Sequence, residues 1–272
     1  MKKKSIVDNL LRSKNFWALT ALALLLLFNL IFTKGFFHIE IKDGHLFGSL
    51  IDILNRAAPM IIISIGMTLV IATKGIDISV GSTVAITGAV VAMLIGGNLK
   101  IVDGVQTYIS QVPMSIAIIA ALAVATLIGL WNGFLITRMG MQPIIATLIL
   151  MVAGRGVAQL LTNGQIITIY YKPFFFIGNG FLFGLPFSLF IVAVIVGGTI
   201  LLMRKTALGM FIESVGINPV AARVSGINSK NLMLMIYAFC GFCAGVAALL
   251  VTSNVKSADG IHAGELFELD AI

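Results

Sequence analysis

The stretch RKTALGMFIESVGINPVAARVSGINSK, residues 204–230, separates two long apolar runs and carries the signals of a short helix. Four of its residues are typical of helix ends: Asn218 and Asn228 as N-caps, Pro219 at a first helical position and Gly226 as the left-handed residue after a last turn. These signals predict a helix of about two turns, over roughly residues 219–225. The next helix begins directly after it.

A helix of about two turns is not stable alone in water, because its nucleation is costly. It must therefore pack against something, and Ala221 and Ala222 give it a face that another surface can approach closely. Basic residues in the stretch mark it as cytoplasmic: Arg204, Lys205, Arg223 and Lys230. Two interpretations remain open. The helix receives force from a soluble partner, or it is an ordinary loop helix that lies on the lipid headgroups.

The composition assigns the chain to the membrane. Of its 272 residues, 59% are hydrophobic and only 11% charged, and the mean hydropathy is +1.07. A soluble domain of this length could not hide so much apolar surface, so a polytopic membrane protein is expected. The net charge of +7 is explained by membrane topology, and no nucleic-acid partner is expected.

The apolar runs predict an all-α protein with about seven transmembrane helices. The runs are Phe16–Thr33, Ala57–Thr73, one ending at about Gly97, about Val112–Thr137, one opening at Pro143, about Gly184–Met203 and about Asn231–Thr252. With the N-terminus inside, the inner segments hold eleven basic residues and the outer segments six. No signal-peptide cleavage site follows the first run.

We expect one transmembrane domain over residues 1–272. An apolar pattern resumes at Leu266–Ile272, which leads us to expect a truncated chain whose further spans are missing. Small residues spaced four apart predict close helix packing in lipid: Gly129 with Gly133, Gly241 with Gly245 and Ala85 with Ala89. Cys240 and Cys243 form a C-x-x-C pattern inside an apolar helix, where small residues for packing are a better explanation than an accessible redox thiolate.

The motifs of common enzymes are absent from the sequence. It contains no phosphate-binding G-x-x-x-x-G-K-[ST], no H-E-x-x-H and no G-x-S-x-G. Its histidines are scattered over external segments. The sequence therefore predicts neither an enzyme nor a bound metal or cofactor.

Four polar residues at membrane depth are candidates for a substrate pathway. Arg155 lies in an apolar run with Gln159 one turn on, and a guanidinium there must face protein, water or an acid. Two roles are open for Arg155: an ion pair that locks helices together, or a position lining a pore. Asp77 lies in KGIDISVG, residues 74–81, which is either a simple internal turn or a broken helix lining a cavity. Asn132 forms an interhelical hydrogen bond or contacts a ligand.

Three segments carry a resemblance to the ribose-type permease family of bacterial sugar ABC importers. They are IGMTLVIATKGIDISVGS at 65–82, GLWNGFLI at 129–136 and KTALGMFIESVGINPVAARVSGIN at 205–228. Within that family, permeases of galactofuranose importers are most similar at DGHLFGS, DILNRAAP and ATLILMVAGRGVAQLLTNGQI, residues 43–49, 52–59 and 146–166. Lys74 departs from the family, which usually has a small residue there.

The resemblance implies a permease subunit that imports galactofuranose or a related monosaccharide across the bacterial inner membrane. It implies an ATPase subunit that uses ATP, a periplasmic sugar-binding protein and a second permease copy or homologous permease as partners. The helix at 219–225 would dock on the ATPase. Coupling residues would be Gly209, Glu213, Gly216, Asn218, Ala221, Ala222 and Gly226. The alternatives are a secondary transporter or channel that needs no ATPase, and a scaffold that transports nothing.

Overall fold

A computed structural model of the chain describes residues 16–33, 35–42, 44–96, 98–102 and 105–271. The fold divides into two compact units, residues 1–53 and 54–272. In the first unit, α1 (Phe16–Phe32) is followed by an antiparallel hairpin of β1 (Glu40–Lys42) and β2 (His45–Phe47). The prediction that the N-terminus lies inside rests on residues 1–15, which are outside the described residues.

Helices dominate the rest of the described chain. The longer ones are α2 (Ser49–Ala72), α3 (Val80–Ile95), α4 (Met114–Thr137), α5 (Pro143–Leu161), α7 (Phe187–Lys205), α8 (Ala207–Ile217) and α10 (Ser229–Val255). The short ones are a 3-10 turn (Lys172–Phe175), α6 (Phe176–Asn179), α9 (Pro219–Val224) and α11 (Phe267–Ala271). Short strands pair in twos: β3 (Asn98–Val102) with β4 (Val105–Ile109), β5 (Ile167–Thr168) with β8 (Ser257–Ala258), and β6 (Phe181–Leu182) with β7 (Leu185–Pro186).

The prediction of an all-α polytopic membrane protein is confirmed. Five of the described helices, α2, α4, α5, α7 and α10, are long and apolar enough to cross a membrane. The other two predicted runs form shorter helices, α1 with 17 residues and α3 with 16. The count of seven spans therefore stays a prediction. The helix α2 begins at Ser49, eight residues before the apolar run that starts at Ala57, and its first turns include Asp52 and Arg56.

At the centre of the second unit, α10 packs against α3 and α4, and two thirds of its most apolar window is buried. The predicted small residues meet at the crossing with α4. A Cβ on Gly129 would lie 3.1 Å from the Cα of Gly241, so neither glycine leaves room for a side chain. Close backbone approach of this kind drives helix association in lipid. Cys240 and Cys243 are buried in the same helix, as expected for packing residues.

The predicted helix-end signals of the 204–230 stretch are confirmed. The Asn218 side chain accepts hydrogen bonds from the backbone N–H groups of Val220 and Ala221, at 3.0 and 3.1 Å. Pro219 is the first residue of α9, which ends at Val224, one residue earlier than predicted. Two further residues act as predicted: Gly226 has a φ of +87°, and Asn228 caps α10 by accepting from the N–H of Asn231 at 3.1 Å.

Candidate functional site

A break in the helical backbone, residues 73–79, joins α2 to α3. Gly75 is required there because a Cβ would lie 2.5 Å from the hydroxyl of Tyr237 on α10. That hydroxyl donates a 3.3 Å hydrogen bond to the carbonyl oxygen of Ile76. The break therefore packs against the central helix, about two turns inside its first residue.

Asp77 is the acidic residue of this break, and it is 3% exposed. Its Oδ1 accepts hydrogen bonds from the backbone N–H and the hydroxyl of Ser79, at 3.0 and 2.6 Å. The side-chain amide of Asn132 on α4 donates to Ser79 Oγ at 2.8 Å and lies 3.4 Å from Asp77 Oδ1. The structure thus joins two of the predicted pathway residues, which lie 55 positions apart in the sequence.

Hydrogen bonds stabilise the Asp77 carboxylate. It forms no ion pair with any described residue. A buried carboxylate is costly without such donors, and two donors on Ser79 offset part of that cost. The sequence reasoning missed Ser79. A signal was available, because a Ser two residues after an Asp, immediately before a helix, commonly donates to that carboxylate.

One polar atom of the cluster has no described partner. The amide oxygen of Asn132, a residue 1% exposed, forms no hydrogen bond to the described part of the chain. An acceptor of this kind suits a ligand whose hydroxyl group can donate a hydrogen bond. The cluster of Asp77, Ser79 and Asn132 is therefore the candidate polar site at the break between α2 and α3.

Arg155 lies elsewhere. Its Nη1 donates a 2.5 Å hydrogen bond to the carbonyl oxygen of Ala263, and no described carboxylate forms an ion pair with it. Its partner in the described chain is thus a backbone carbonyl, and the helix-locking ion pair stays a prediction. Gln159 follows one turn later on α5 and is half-buried. Neither residue has a hydrogen bond to the Asp77 cluster.

The bond from Arg155 anchors residues 259–271, which cover the first turn of α3. Gly81 and Gly264 approach so closely that a Cβ on Gly264 would lie 2.7 Å from the Gly81 carbonyl oxygen. Glu268 is 3% exposed, and its Oε2 has no partner among the described residues. No sequence signal identified this buried acid, since nothing around it distinguishes it from a surface glutamate.

The predicted coupling residues divide into two groups. Four of them are exposed, in α9 or close to it: Glu213, Asn218, Ala221 and Gly226. The others maintain close packing inside the chain. Gly209 abuts the Met203 carbonyl at the corner between α7 and α8, and Gly216 abuts the Ala72 carbonyl at the end of α2.

Ala222 requires a correction. It was predicted to form part of a face for a partner protein, but it is 4% exposed and packs in a core cluster with Ile212, Val215, Leu232 and Ile236. The outward face of the segment consists of Ile217, Val220 and Val224, which are 79%, 72% and 85% exposed. Val220 and Val224, four residues apart on α9, lie on one side of that helix, and Ile217 ends α8 just before it. That spacing was readable in the sequence and was missed.

Comparison with known proteins gives the chain its family. Residues 49–272 match the family described as "Branched-chain amino acid transport system / permease component". The galactofuranose transporter permease protein of Escherichia coli K12 is 45% identical over 254 residues, which cover 93% of this chain and 71% of that protein. The fructose import permease protein of Bifidobacterium longum is 38% identical, covering 98% of this chain and 73% of that protein.

A third relative, the ribose import permease protein of Haemophilus influenzae, is 33% identical and covers 82% of this chain and 66% of that protein. No solved structure matches the chain. The apolar helices, the buried polar break between α2 and α3, and a family match over residues 49–272 agree with one another. This chain belongs to that permease family and is a multi-pass membrane permease component.

Proposed function

We propose that the chain is the membrane-spanning permease subunit of an ATP-driven sugar importer in the bacterial inner membrane. The observation that carries this proposal is the 45% identity to a galactofuranose transporter permease over 93% of the chain. Its sugar is galactofuranose or a related monosaccharide. ATP is hydrolysed by a separate ATPase subunit, a periplasmic binding protein delivers the sugar, and a second permease, identical or homologous, completes the pathway.

The chemistry of the Asp77 cluster suits a neutral, hydroxylated solute. Asn132 offers an unpartnered amide oxygen, and Ser79 and Asp77 hold its amide nitrogen in place. A sugar hydroxyl can donate a hydrogen bond to that oxygen, and no ion pair between protein and solute is needed. Arg155 and Gln159 lie on α5, which packs against α3, and this packing is what supports their place in the proposed pathway.

Coupling to the ATPase passes through α9. This helix is capped at both ends, and with Ile217 just before it, the segment exposes three apolar side chains beside Arg223. A helix presenting aliphatic residues suits a hydrophobic groove on a soluble partner. Just before α9, Gly216 of α8 abuts the carbonyl of Ala72, the last residue of α2, which lies five residues before Asp77. A displacement of α9 therefore reaches the polar break directly.

The coupling proposal is tested with Val220→Asp and Val224→Asp. Each charge replaces an exposed aliphatic side chain, so the subunit should reach the membrane in normal amounts while it loses its ATPase on purification. Lys205→Gln, an exposed change in the same stretch but outside the predicted coupling residues, is the control and should retain the ATPase. Retention of the ATPase and normal uptake by both aspartate variants would exclude α9 as the docking helix.

The transport class and the sugar are tested by uptake into proteoliposomes that contain the complete importer. Uptake of labelled galactofuranose should require internal ATP hydrolysis, whereas a secondary transporter or channel would transport without it. Unlabelled galactofuranose should compete better than ribose or fructose. Stronger competition by ribose would overturn the sugar assignment and leave the importer class intact.

A further inference from the structure

A basic pocket lies where the end of α4, the end of α9 and the start of α10 meet. Its volume is about 390 Å³, and the residues that line it include three cations and no acid. The cations are Arg138, Arg223 and Lys230, and the backbone between Gly226 and Ser229 completes the wall. A pocket with this charge attracts an anion.

The geometry of the pocket suits a phosphate group. Arg138 is held in place because its Nη2 donates a 2.6 Å hydrogen bond to the Asn231 side chain, which leaves its other N–H groups available. A guanidinium binds phosphate oxygens through two parallel hydrogen bonds. The pocket also includes Ser229, the first residue of the 27-residue helix α10, where the helix dipole favours negative charge.

An apolar groove continues from the basic pocket along α10. A cavity of about 350 Å³ shares Gly226, Ile227 and Asn228 with the basic pocket and is otherwise lined mainly by Leu208, Phe211, Leu232 and Met235. A further cavity of about 240 Å³ shares three of those side chains and extends the groove to Ile236 and Phe239. From residue 228 to 239 the groove follows α10 for about 16 Å, at 1.5 Å per residue.

We propose that the basic pocket and this apolar groove together bind one anionic phospholipid. Its phosphate lies among Arg138, Arg223 and Lys230, and an acyl chain lies along Leu232 and Met235. Basic pockets between membrane helices on the cytoplasmic side are typical sites for such headgroups. A free phosphate ion would need the pocket alone, so the continuous apolar groove favours a lipid. Because Arg223 belongs to α9, the bound lipid secures α9 to α10.

The test is native mass spectrometry of the full chain in detergent, titrated with phosphatidylglycerol or with phosphatidylcholine. We expect the purified chain to bind phosphatidylglycerol in preference. Arg138→Gln and Lys230→Gln should each weaken that binding about fivefold, the equivalent of about 1 kcal/mol per cation at a membrane surface. Arg138→Lys, which keeps the charge, should lose less than Arg138→Gln.

Two controls distinguish the alternative occupants. Lys205→Gln removes the same charge from the neighbouring surface, outside the pocket, and should leave phosphatidylglycerol binding unchanged. Met235→Trp places a bulky side chain in the groove and should weaken lipid binding. Inorganic phosphate at millimolar concentration should not compete with the lipid.

Four results would overturn the proposal. Equal binding of the two lipids, or an equal loss in Lys205→Gln, would mean that no specific site exists. Competition by inorganic phosphate with no effect of Met235→Trp would indicate a site for free phosphate. Unchanged lipid binding in Lys230→Gln, together with loss of the co-purifying ATPase, would indicate that the pocket receives an acidic side chain of a protein partner.

Discussion

The side-chain ammonium of Lys74 donates a 3.0 Å hydrogen bond to the carbonyl oxygen of Ile217, the last residue of α8. A cation at this position satisfies a carbonyl that the helix leaves free and complements the negative end of the helix dipole. Beside it, Gly216 abuts the Ala72 carbonyl. The end of α8 therefore contacts the end of α2 through Gly216, and through Ile217 it contacts the break that contains Asp77.

The backbone at Lys74 gives a prediction about stability. Its φ is +60°, a conformation that glycine adopts freely and that other residues adopt at a cost of about 1–2 kcal/mol. Both Lys74→Ala and Lys74→Gly remove the hydrogen bond to Ile217. Alanine still adopts the unfavourable backbone conformation at its cost, whereas glycine adopts it freely. Thermal unfolding in detergent should give a higher Tm for Lys74→Gly than for Lys74→Ala. The reverse order would show that this conformation is not adopted in the membrane protein.

Replacement of Arg155 should impair the subunit through its anchoring of Ala263. Arg155→Ala removes a charge-assisted hydrogen bond, worth roughly 1.5–3 kcal/mol, and leaves a carbonyl unpaired. We expect uptake or assembly to be lost, and Arg155→Lys to retain part of it. Normal uptake by Arg155→Ala would contradict an anchoring or pathway role.

The separation of Arg155 from Asp77 is tested by a double variant. Because the two side chains share no hydrogen-bond partner, the effects of Arg155→Ala and Asp77→Asn on the free energy of unfolding should add within about 0.5 kcal/mol. If Asp77→Asn instead restored stability to Arg155→Ala, the two residues would form the ion pair that the structure lacks.

Asp77 should matter as a hydrogen-bond acceptor more than as a charge. Asp77→Asn keeps an oxygen that can accept from Ser79, so its amount in the membrane should stay near normal. Asp77→Ala leaves the Ser79 N–H buried without a partner, at about 1–3 kcal/mol. Membrane levels and Tm measured in parallel should rank the wild type and Asp77→Asn above Asp77→Ala. Equal values for the two variants would contradict this role.

At Ala222 the structure reverses the expectation that a bulky residue spares the fold. Ala222→Trp must enter a core cluster beside Ile212 and Leu232, so we expect destabilisation of about 1–3 kcal/mol or more and reduced membrane levels. Ala221→Trp, at the exposed neighbouring position, is the matched control and should be inserted normally. Normal levels of Ala222→Trp would mean that α9 is not packed as described.

Gly226 provides a purely backbone test in the same segment. Its φ is +87°, and a Cβ there would meet no neighbouring atom, so only the backbone conformation disfavours a side chain. Gly226→Val should lower the free energy of unfolding by about 1–2 kcal/mol, and Gly226→Asn should lower it less, since Asn tolerates the left-handed region. A milder effect of valine than of asparagine in a Tm series would contradict this geometry.

The sequence by itself determined the features that depend on neighbouring residues. The caps of α9 and α10 were predicted at Asn218 and Asn228, because a capping side chain binds backbone N–H groups two or three residues away. The break at residues 74–81 was located because polar residues interrupt an apolar run. The membrane class followed from composition, which needs no knowledge of contacts.

Only the tertiary structure decided which distant residues meet. Asn132 contacts Ser79, Arg155 contacts Ala263, and Ala222 faces the core, all through the rotation and packing of helices far apart in the chain. A helix of a soluble protein reveals its buried side by an apolar stripe, but helices such as α4 and α10 are apolar all round. Lipid accepts the same side chains as the core, so hydrophobic periodicity cannot encode which face packs against protein, and close fit between backbones decides it.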